Sequence, residues 1–127
     1  MFIQRIDAKT LDQQLESDEP PLVIDARGTD RWTQSGVTLD GAVRIPPNEL
    51  RAYMGRIPRS VKLVIYCDRP RELLSTRVAI TLLKNGYENV SVLKGGFTSA
   101  IRARLPIISK MVNKDVTAKP PTASSIS

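Results

Sequence analysis

The stretch that decides the fold of this 127-residue chain is VKLVIYC at residues 61–67, followed by DRPRE at 68–72 and LLSTRVAITLLKNG at 73–86. From Leu63 to Tyr66 the first part is a continuous apolar run, which is typical of a strand buried on both faces of a sheet. In the last part, apolar residues recur with helical spacing as far as Asn85, and Gly86 is well placed to end a helix. The stretch therefore predicts a central strand that ends at Cys67, a polar loop, and a helix over 73–85.

The same alternation of strands and helices extends along the chain in both directions. We predict helices at 8–16, 29–34, 48–54 and 97–104 and further strands at 22–24, 42–45 and 90–93. Asp7 and Asn48 are the expected N-caps of two of these helices, and the residues between Gly36 and Gly41 are predicted to be irregular. This order predicts a parallel sheet with right-handed crossovers and helices on both faces. In such sheets ligands bind beyond the carboxyl ends of the strands, where Cys67 is placed.

Length and composition indicate one domain with one core, because 41% of the residues are apolar and 25% are charged. We predict that the domain covers residues 1–106. An apolar extension at 107–113 is expected to pack on it or to contact a partner, and 114–127 has the composition of a flexible tail. The apolar runs are too short to span a bilayer, and the start shows no secretory signal. A cytoplasmic protein without a membrane span is therefore expected.

Two residue counts exclude several kinds of chemistry. The chain has no histidine, which excludes Ser-His-Asp and Cys-His catalysis and any histidine-bearing metal site. It has one cysteine, which excludes a Cys-x-x-Cys redox pair and a zinc knuckle. We expect no metal and no cofactor, so chemistry must depend on one thiol, on carboxylates, or on backbone dipoles.

The net charge of +6 is unevenly distributed, since residues 1–30 contain seven acidic and three basic side chains. The basic remainder of the chain favours anionic partners, or it is simply a solvated surface. The few aromatic residues are scattered singly, whereas nucleic-acid binding calls for aromatic side chains interleaved with basic ones. We therefore expect no nucleic-acid partner, although the basic C-terminal tail could contact a protein.

The position of Cys67 between a strand end and a helix start has electrostatic consequences. Backbone amides at a helix start lack acceptors, and the helix dipole adds partial positive charge there. Both stabilise an anion, so we expect a solvent-reachable thiol that reacts as a thiolate. Arg69 and Arg71 add positive charge to the loop, while Asp68 and Glu72 partly offset it. The alternative is that Cys67 is a small buried apolar residue without reactivity.

Several segments, in the right order, resemble the rhodanese-homology (sulfurtransferase) family. They are LVIDAR at 22–27, the segment from Gly36 to Pro46, VIYC at 64–67, NGYENV at 85–90, LKGGF at 93–97 and the ending LP at 105–106. The resemblance implies a three-layer α/β/α fold around a central, mostly parallel sheet of five strands.

The sequence also departs from the common pattern of that family. Val37 stands where the family has a histidine, Ala100 where a tryptophan is frequent, and Pro70 where many members have a glycine. The loop is more similar to a subgroup that reads Cys-x-Cys-Pro-Asn-Glu-Ala, with Arg69 in place of the second cysteine and Arg71 in place of the asparagine. The thiol is kept, but the substrate pocket differs.

The resemblance implies transfer of sulfane sulfur through a persulfide on Cys67, by covalent catalysis. The donor would be a small anion such as thiosulfate, and the acceptor a thiol or cyanide. Cys67 is then the catalytic residue, and the substrate-binding loop consists of Asp68, Arg69, Pro70, Arg71, Glu72 and Leu73.

Further side chains near the predicted site have both structural and functional interpretations. Arg69 or Arg71 could bind an anionic donor, or both could be solvated loop charges. Asp25 and Arg27 are expected to form a structural ion pair at the sheet edge rather than to take part in the reaction. Trp32 is expected to be a packing residue, as is the tyrosine that precedes Cys67.

Two alternative functions have to be compared with sulfur transfer. Phosphatases with a similar fold carry a Cys-x5-Arg loop, but the residue six positions after Cys67 is Leu73, which disfavours that activity. The other alternative is a non-catalytic rhodanese-like module for protein interaction or sensing. Pro70 and the basic tail favour such a module, whereas the presence of Cys67 favours sulfur transfer.

Overall fold

The computed structural model describes residues 2–110, which are built around a parallel sheet of five strands. The strands are β1 (Gln4–Ile6), β2 (Leu22–Asp25), β4 (Val43–Arg44), β5 (Leu63–Tyr66) and β6 (Val90–Leu93), and β3 (Val37–Leu39) and β7 (Ile107–Ser109) form a separate antiparallel pair. The order across the sheet is β1-β6-β5-β2-β4, and every neighbouring pair is parallel. The apolar strand that precedes Cys67 is therefore the central strand of the sheet.

The helices that connect the strands begin and end close to the predicted positions. They are α1 (Ala8–Leu15), α2 (Thr29–Gln34), α3 (Leu50–Tyr53), α4 (Leu73–Lys84) and α5 (Gly96–Arg102), with 3-10 turns at Pro47–Glu49, Met54–Arg56 and Pro70–Glu72. Asp7 caps α1 as predicted, because its Oδ1 accepts the Thr10 N–H at 2.8 Å. This backbone hydrogen bond lowers the pKa of the Asp7 carboxyl.

The strands alternate their side chains between two apolar layers, one on each face of the sheet. In β5, Leu63 and Ile65 face the layer that contains α3 and α4, whereas Val64 and Tyr66 face the layer that contains α1 and α5. Both layers are needed because each strand of a parallel sheet is apolar on both faces. The predicted three-layer α/β/α architecture with a five-stranded sheet is confirmed.

Three details of the predicted elements are wrong or were missed. The residues between Gly36 and Gly41 include β3, whose partner β7 lies some seventy residues away in sequence, with Thr38 opposite Ile108. Strand β1 was not predicted, since three residues are too few to show a period. Asn48 caps no helix, because it lies inside a 3-10 turn that begins after Pro46.

The chain beyond the predicted domain is described only in part. The extension predicted at 107–113 begins with β7, whereas residues 111–113 and the predicted tail at 114–127 lie outside the described residues. The domain limits therefore stay a prediction. Across residues 2–110, no helix combines the length and the apolar character needed to cross a bilayer.

A close approach between α5 and the end of β5 depends on Gly96. This residue has a φ of +62°, and a Cβ atom there would lie 2.2 Å from the carbonyl oxygen of Cys67. The next residue, Phe97, donates its N–H to the same carbonyl at 2.9 Å. The missing side chain thus lets α5 begin directly against the Cys67 backbone.

We expect Gly96→Ala to lower the free energy of unfolding by about 2 kcal/mol or more, since it combines a left-handed backbone with a clash. Urea denaturation measures this loss. Gly55→Ala is the matched control, because its Cβ would meet open space, and its effect should stay within about 0.5 kcal/mol. Equal losses for the two variants would contradict the close approach.

Candidate active site

Cys67 follows directly after the central strand β5, at the carboxyl edge of the sheet. Its side chain is fully buried, with 0% exposure, and its Sγ lies 3.4 Å from the hydroxyl oxygen of Ser75, in the first turn of α4. The expectation that solvent reaches this thiol is wrong for this structure. The sulfur does lie against the start of a helix, as predicted, because Ser75 belongs to the first turn of α4.

The loop between Cys67 and α4 has an unusual backbone. It contains the 3-10 turn Pro70–Glu72, in which the Glu72 N–H donates to the Arg69 carbonyl at 3.1 Å. Arg71 (φ 60°) and Glu72 (φ 53°) are consecutive non-glycine residues in the left-handed region. Each costs about 1–2 kcal/mol in this conformation. The loop therefore needs contacts that hold it in place.

The side chain of Glu72 supplies these contacts. Its Oε1 accepts from Arg5 Nε of β1 at 2.7 Å, and its Oε2 accepts the N–H of Gly95, which precedes α5, at 3.3 Å. Glu72 is buried, and the Arg5 side chain is about half exposed. Sequence reasoning missed Arg5, because an ion pair spanning 67 positions leaves no local pattern.

A cavity of about 380 Å³ lies at the loop and collects most of the predicted substrate-binding residues. It is lined by Arg31, Asp68, Arg69, Pro70, Arg71, Glu72, Gly95 and Thr98. Leu73 is not part of this lining; its side chain is about half exposed. Arg31 of α2 was not predicted and brings a third guanidinium to the cavity. The lining thus includes three arginines, and guanidinium groups can bind a small anion.

The predicted ion pair between Asp25 and Arg27 lies at the same edge of the sheet, completely buried. Arg27 Nη2 donates to Asp25 Oδ2 at 2.8 Å, and the Arg27 N–H donates to Oδ1 at 3.0 Å. The carboxylate also accepts from the hydroxyls of Tyr66 at 2.8 Å and Thr38 at 3.3 Å. Arg44 approaches the same carboxylate at 3.7 Å, and burial lowers the pKa of this arginine. The network joins the ends of β2 and β5 to β3.

Aromatic rings cover the arginine of this ion pair. The guanidinium carbon of Arg27 lies 4.2 Å from the Phe97 ring centroid and 5.2 Å from that of Trp32. The Trp32 ring also faces Arg44 at 4.8 Å and the Lys110 ammonium at 4.0 Å. Cation–π contacts of this kind compensate part of the lost hydration. Trp32 thus packs against the network, in agreement with its predicted role.

Comparison with protein-family models supplies the deciding observation: the model described as the rhodanese-like domain matches residues 7–103. This chain belongs to the rhodanese-like family. The match covers most of the described residues, including β5, Cys67 and the loop after it. The resemblance seen in the sequence motifs is therefore confirmed.

Individual relatives of this rhodanese-like chain agree with the family. It is 31% identical over 108 residues to a sulfurtransferase of Allochromatium vinosum, covering 85% of this chain and 97% of that protein. It is also 31% identical over 75 residues to a tRNA sulfurtransferase of Aliivibrio fischeri, which covers 58% of this chain and 15% of that much longer protein.

Solved structures show the same fold at lower identity. The rhodanese-like domain of an Anabaena protein has a TM-score of 0.71 and 22% identity, covering 100% of this chain and 91% of that one. A thiosulfate sulfurtransferase of Pseudomonas aeruginosa has a TM-score of 0.71 and 21% identity, covering 84% of this chain and 20% of that one.

Tyr66 has a larger part in this rhodanese-like domain than the packing role predicted for it. Its ring stacks on Phe97 with centroids 5.5 Å apart, while its hydroxyl donates to Asp25 and lies 3.0 Å from the Thr38 hydroxyl. Burial raises the pKa of Tyr66 well above its ordinary value of 10.0, and the charge of Asp25 acts in the same direction. Tyr66 therefore stays protonated in the folded state where an unfolded tyrosine would ionise.

The unfolding free energy should fall as the pH rises above about 10, because the unfolded chain then releases the Tyr66 proton while the folded chain keeps it. Tyr66→Phe should remove this part of the decline, and near neutral pH it should cost about 1–3 kcal/mol because the buried Asp25 carboxylate loses the hydrogen bond from the Tyr66 hydroxyl. Urea titrations between about pH 8 and about pH 11 measure both effects. Tyr53→Phe, at a partly buried tyrosine of α3, is the control. An unchanged decline in Tyr66→Phe would refute the assignment.

Proposed function

We propose that this chain is a sulfurtransferase that carries sulfane sulfur as a persulfide on Cys67. The observation that carries this proposal is the position of the single cysteine, at the carboxyl end of the central parallel strand and against the first turn of α4. Family membership and the relatives named sulfurtransferase support it. We place the reaction in a reducing, cytoplasmic setting, in which a lone thiol stays free.

The proposed reaction needs no oxidant and no cofactor. The Cys67 thiolate attacks the outer sulfur of a donor such as thiosulfate, the donor's S–S bond breaks, and sulfite leaves with the electron pair. An acceptor thiolate or cyanide then attacks the outer sulfur of the persulfide, and the Cys67 thiolate is released. The α4 dipole can stabilise the sulfur anion in both states, and the Ser75 hydroxyl can do so when it turns its proton from the Glu72 carbonyl to the sulfur.

The arginine-lined cavity is the proposed binding place for an anionic donor. Arg69 and Arg71 belong to the loop itself, and Arg31 comes from α2. Guanidinium groups bind oxyanions in a bidentate manner and stay charged at every physiological pH. Because Cys67 is buried beside this cavity, the donor reaches the sulfur only when the loop moves.

A non-catalytic binding module is the second candidate function, and the complete burial of Cys67 favours it. In that case the cysteine is a small apolar residue of the core, and the arginines bind a partner's anionic groups. A phosphatase remains disfavoured, because Leu73 carries no guanidinium at the position where such enzymes bind the phosphate.

Incubation with thiosulfate should add the mass of one sulfur atom to the intact protein, and cyanide should remove it again as thiocyanate. Intact-mass spectrometry measures both steps. Cys67→Ser should show no gain. A folded wild-type protein that gains no sulfur from several donors would exclude sulfur transfer and leave the binding module.

The double variant Arg69→Ala/Arg71→Ala should slow persulfide formation from thiosulfate about three- to tenfold, because it removes two exposed positive charges from the proposed binding place of the anion. It should slow alkylation of Cys67 by anionic iodoacetate more than alkylation by neutral iodoacetamide. Arg51→Ala/Arg77→Ala is the matched control, since it removes the same charge from exposed positions on α3 and α4. Equal slowing with both reagents would refute charge recognition by the loop.

A further inference from the structure

The thiol proposed to carry sulfur is closed to solvent. Cys67 and Ser75 both have 0% exposure, whereas the neighbouring loop residues Arg69, Pro70 and Arg71 are exposed. Any reagent that meets the sulfur must therefore wait for a local opening. The contacts that hold the loop closed then set how often the thiol becomes accessible.

Glu72 holds the loop from two sides. Its carboxylate binds Arg5 of β1 and the N–H of Gly95, as described above. Its main-chain carbonyl accepts the Ser75 hydroxyl at 3.2 Å, and Ser75 is the residue whose oxygen lies 3.4 Å from Cys67 Sγ. A continuous series of contacts thus runs from a half-exposed arginine on an edge strand to the buried sulfur.

Two features destabilise the closed loop. Arg71 and Glu72 both have left-handed backbones, which are unfavourable for residues with a side chain. Asp68 Oδ1 is a buried oxygen that finds no hydrogen-bond partner within residues 2–110. Both features lower the stability of the closed loop, so the loss of one ion pair should raise the population of the open loop.

We infer that Arg5 is a positioning residue that acts through Glu72 to hold the 68–72 loop closed over Cys67. Its role in sulfur transfer rests on the proposed function, whereas its control of thiol access does not. The pair is open to solvent on the Arg5 side, so its contribution is that of a partly exposed ion pair.

The rate of Cys67 modification by iodoacetamide tests this inference, because the chain has no other cysteine. Arg5→Ala should raise the rate about threefold, the size expected for one such ion pair. Arg5→Lys keeps the charge and should restore most of the protection. In Arg51→Ala, the control on α3, Cys67 should be modified at the wild-type rate. An unchanged rate in Arg5→Ala would overturn the inference.

A double-mutant cycle separates action through Glu72 from general destabilisation. Glu72→Ala should raise the rate about tenfold, since it removes the Gly95 contact as well, and adding Arg5→Ala to it should change nothing more. The rate of Cys67 modification in Arg5→Ala should also stay constant in low urea, because a local opening exposes much less surface than global unfolding does. An additive effect of the two substitutions, or a rate that rises steeply with urea, would overturn the inference.

The same experiment is independent of the sulfur assay. Iodoacetamide needs only an accessible thiol, so the protection by Arg5 is measurable even in a protein that takes no sulfur from thiosulfate. Conversely, a protein that forms the persulfide but shows no effect of Arg5→Ala retains the proposed function and loses only the positioning role.

Discussion

The buried carboxylate of Asp25 is the constraint on which the carboxyl edge of this sheet depends. A charge with no exposure is costly unless ionic and hydrogen-bonding partners surround it, and removing one partner of a buried pair typically costs about 3–5 kcal/mol. Asp25 therefore needs Arg27, Tyr66 and Thr38 in place at the same time. These residues belong to three different segments, so one charge fixes the ends of β2 and β5 relative to β3.

The consequences of that arrangement reach the cysteine. The Tyr66 hydroxyl is held by Asp25, its ring stacks on Phe97, and the Phe97 N–H donates to the Cys67 carbonyl. Gly96 allows the close approach that this last bond requires. The position of the Cys67 backbone is thus determined by contacts on the side of the sheet that contains α5, while its side chain contacts Ser75 of α4, on the opposite side.

The loop after Cys67 combines these rigid surroundings with a conformation that is itself unfavourable. Left-handed Arg71 and Glu72 are held by an ion pair to a distant strand and by the Gly95 amide. In the proposed sulfurtransferase this arrangement would protect the thiol from oxidation while the loop is closed, and the left-handed backbone of Arg71 and Glu72 would lower the free-energy cost of opening. A purely structural cysteine has no use for strained residues beside it, and this difference favours the sulfurtransferase over the binding module.

The sequence alone determined the order of the helices and of strands β2, β4, β5 and β6, the central place of β5 and the position of Cys67 at its end. Continuous apolar runs, helical spacing and capping residues are local signals, so they are readable without a partner; α4 was predicted within one residue of its end. The short strands β1 and β3 were not predictable, because three residues show no period and their partners lie far away in sequence.

Only the tertiary structure decided the surroundings of the sulfur. The burial of Cys67, the contact with Ser75, the third arginine contributed by Arg31 and the link from Arg5 to Glu72 all depend on residues brought together by folding. No local pattern predicts an ion pair between positions 67 residues apart, because its energy depends on distance in space and on burial. The residue types were present in the sequence, and the packing of the two layers against the sheet determined which of them meet.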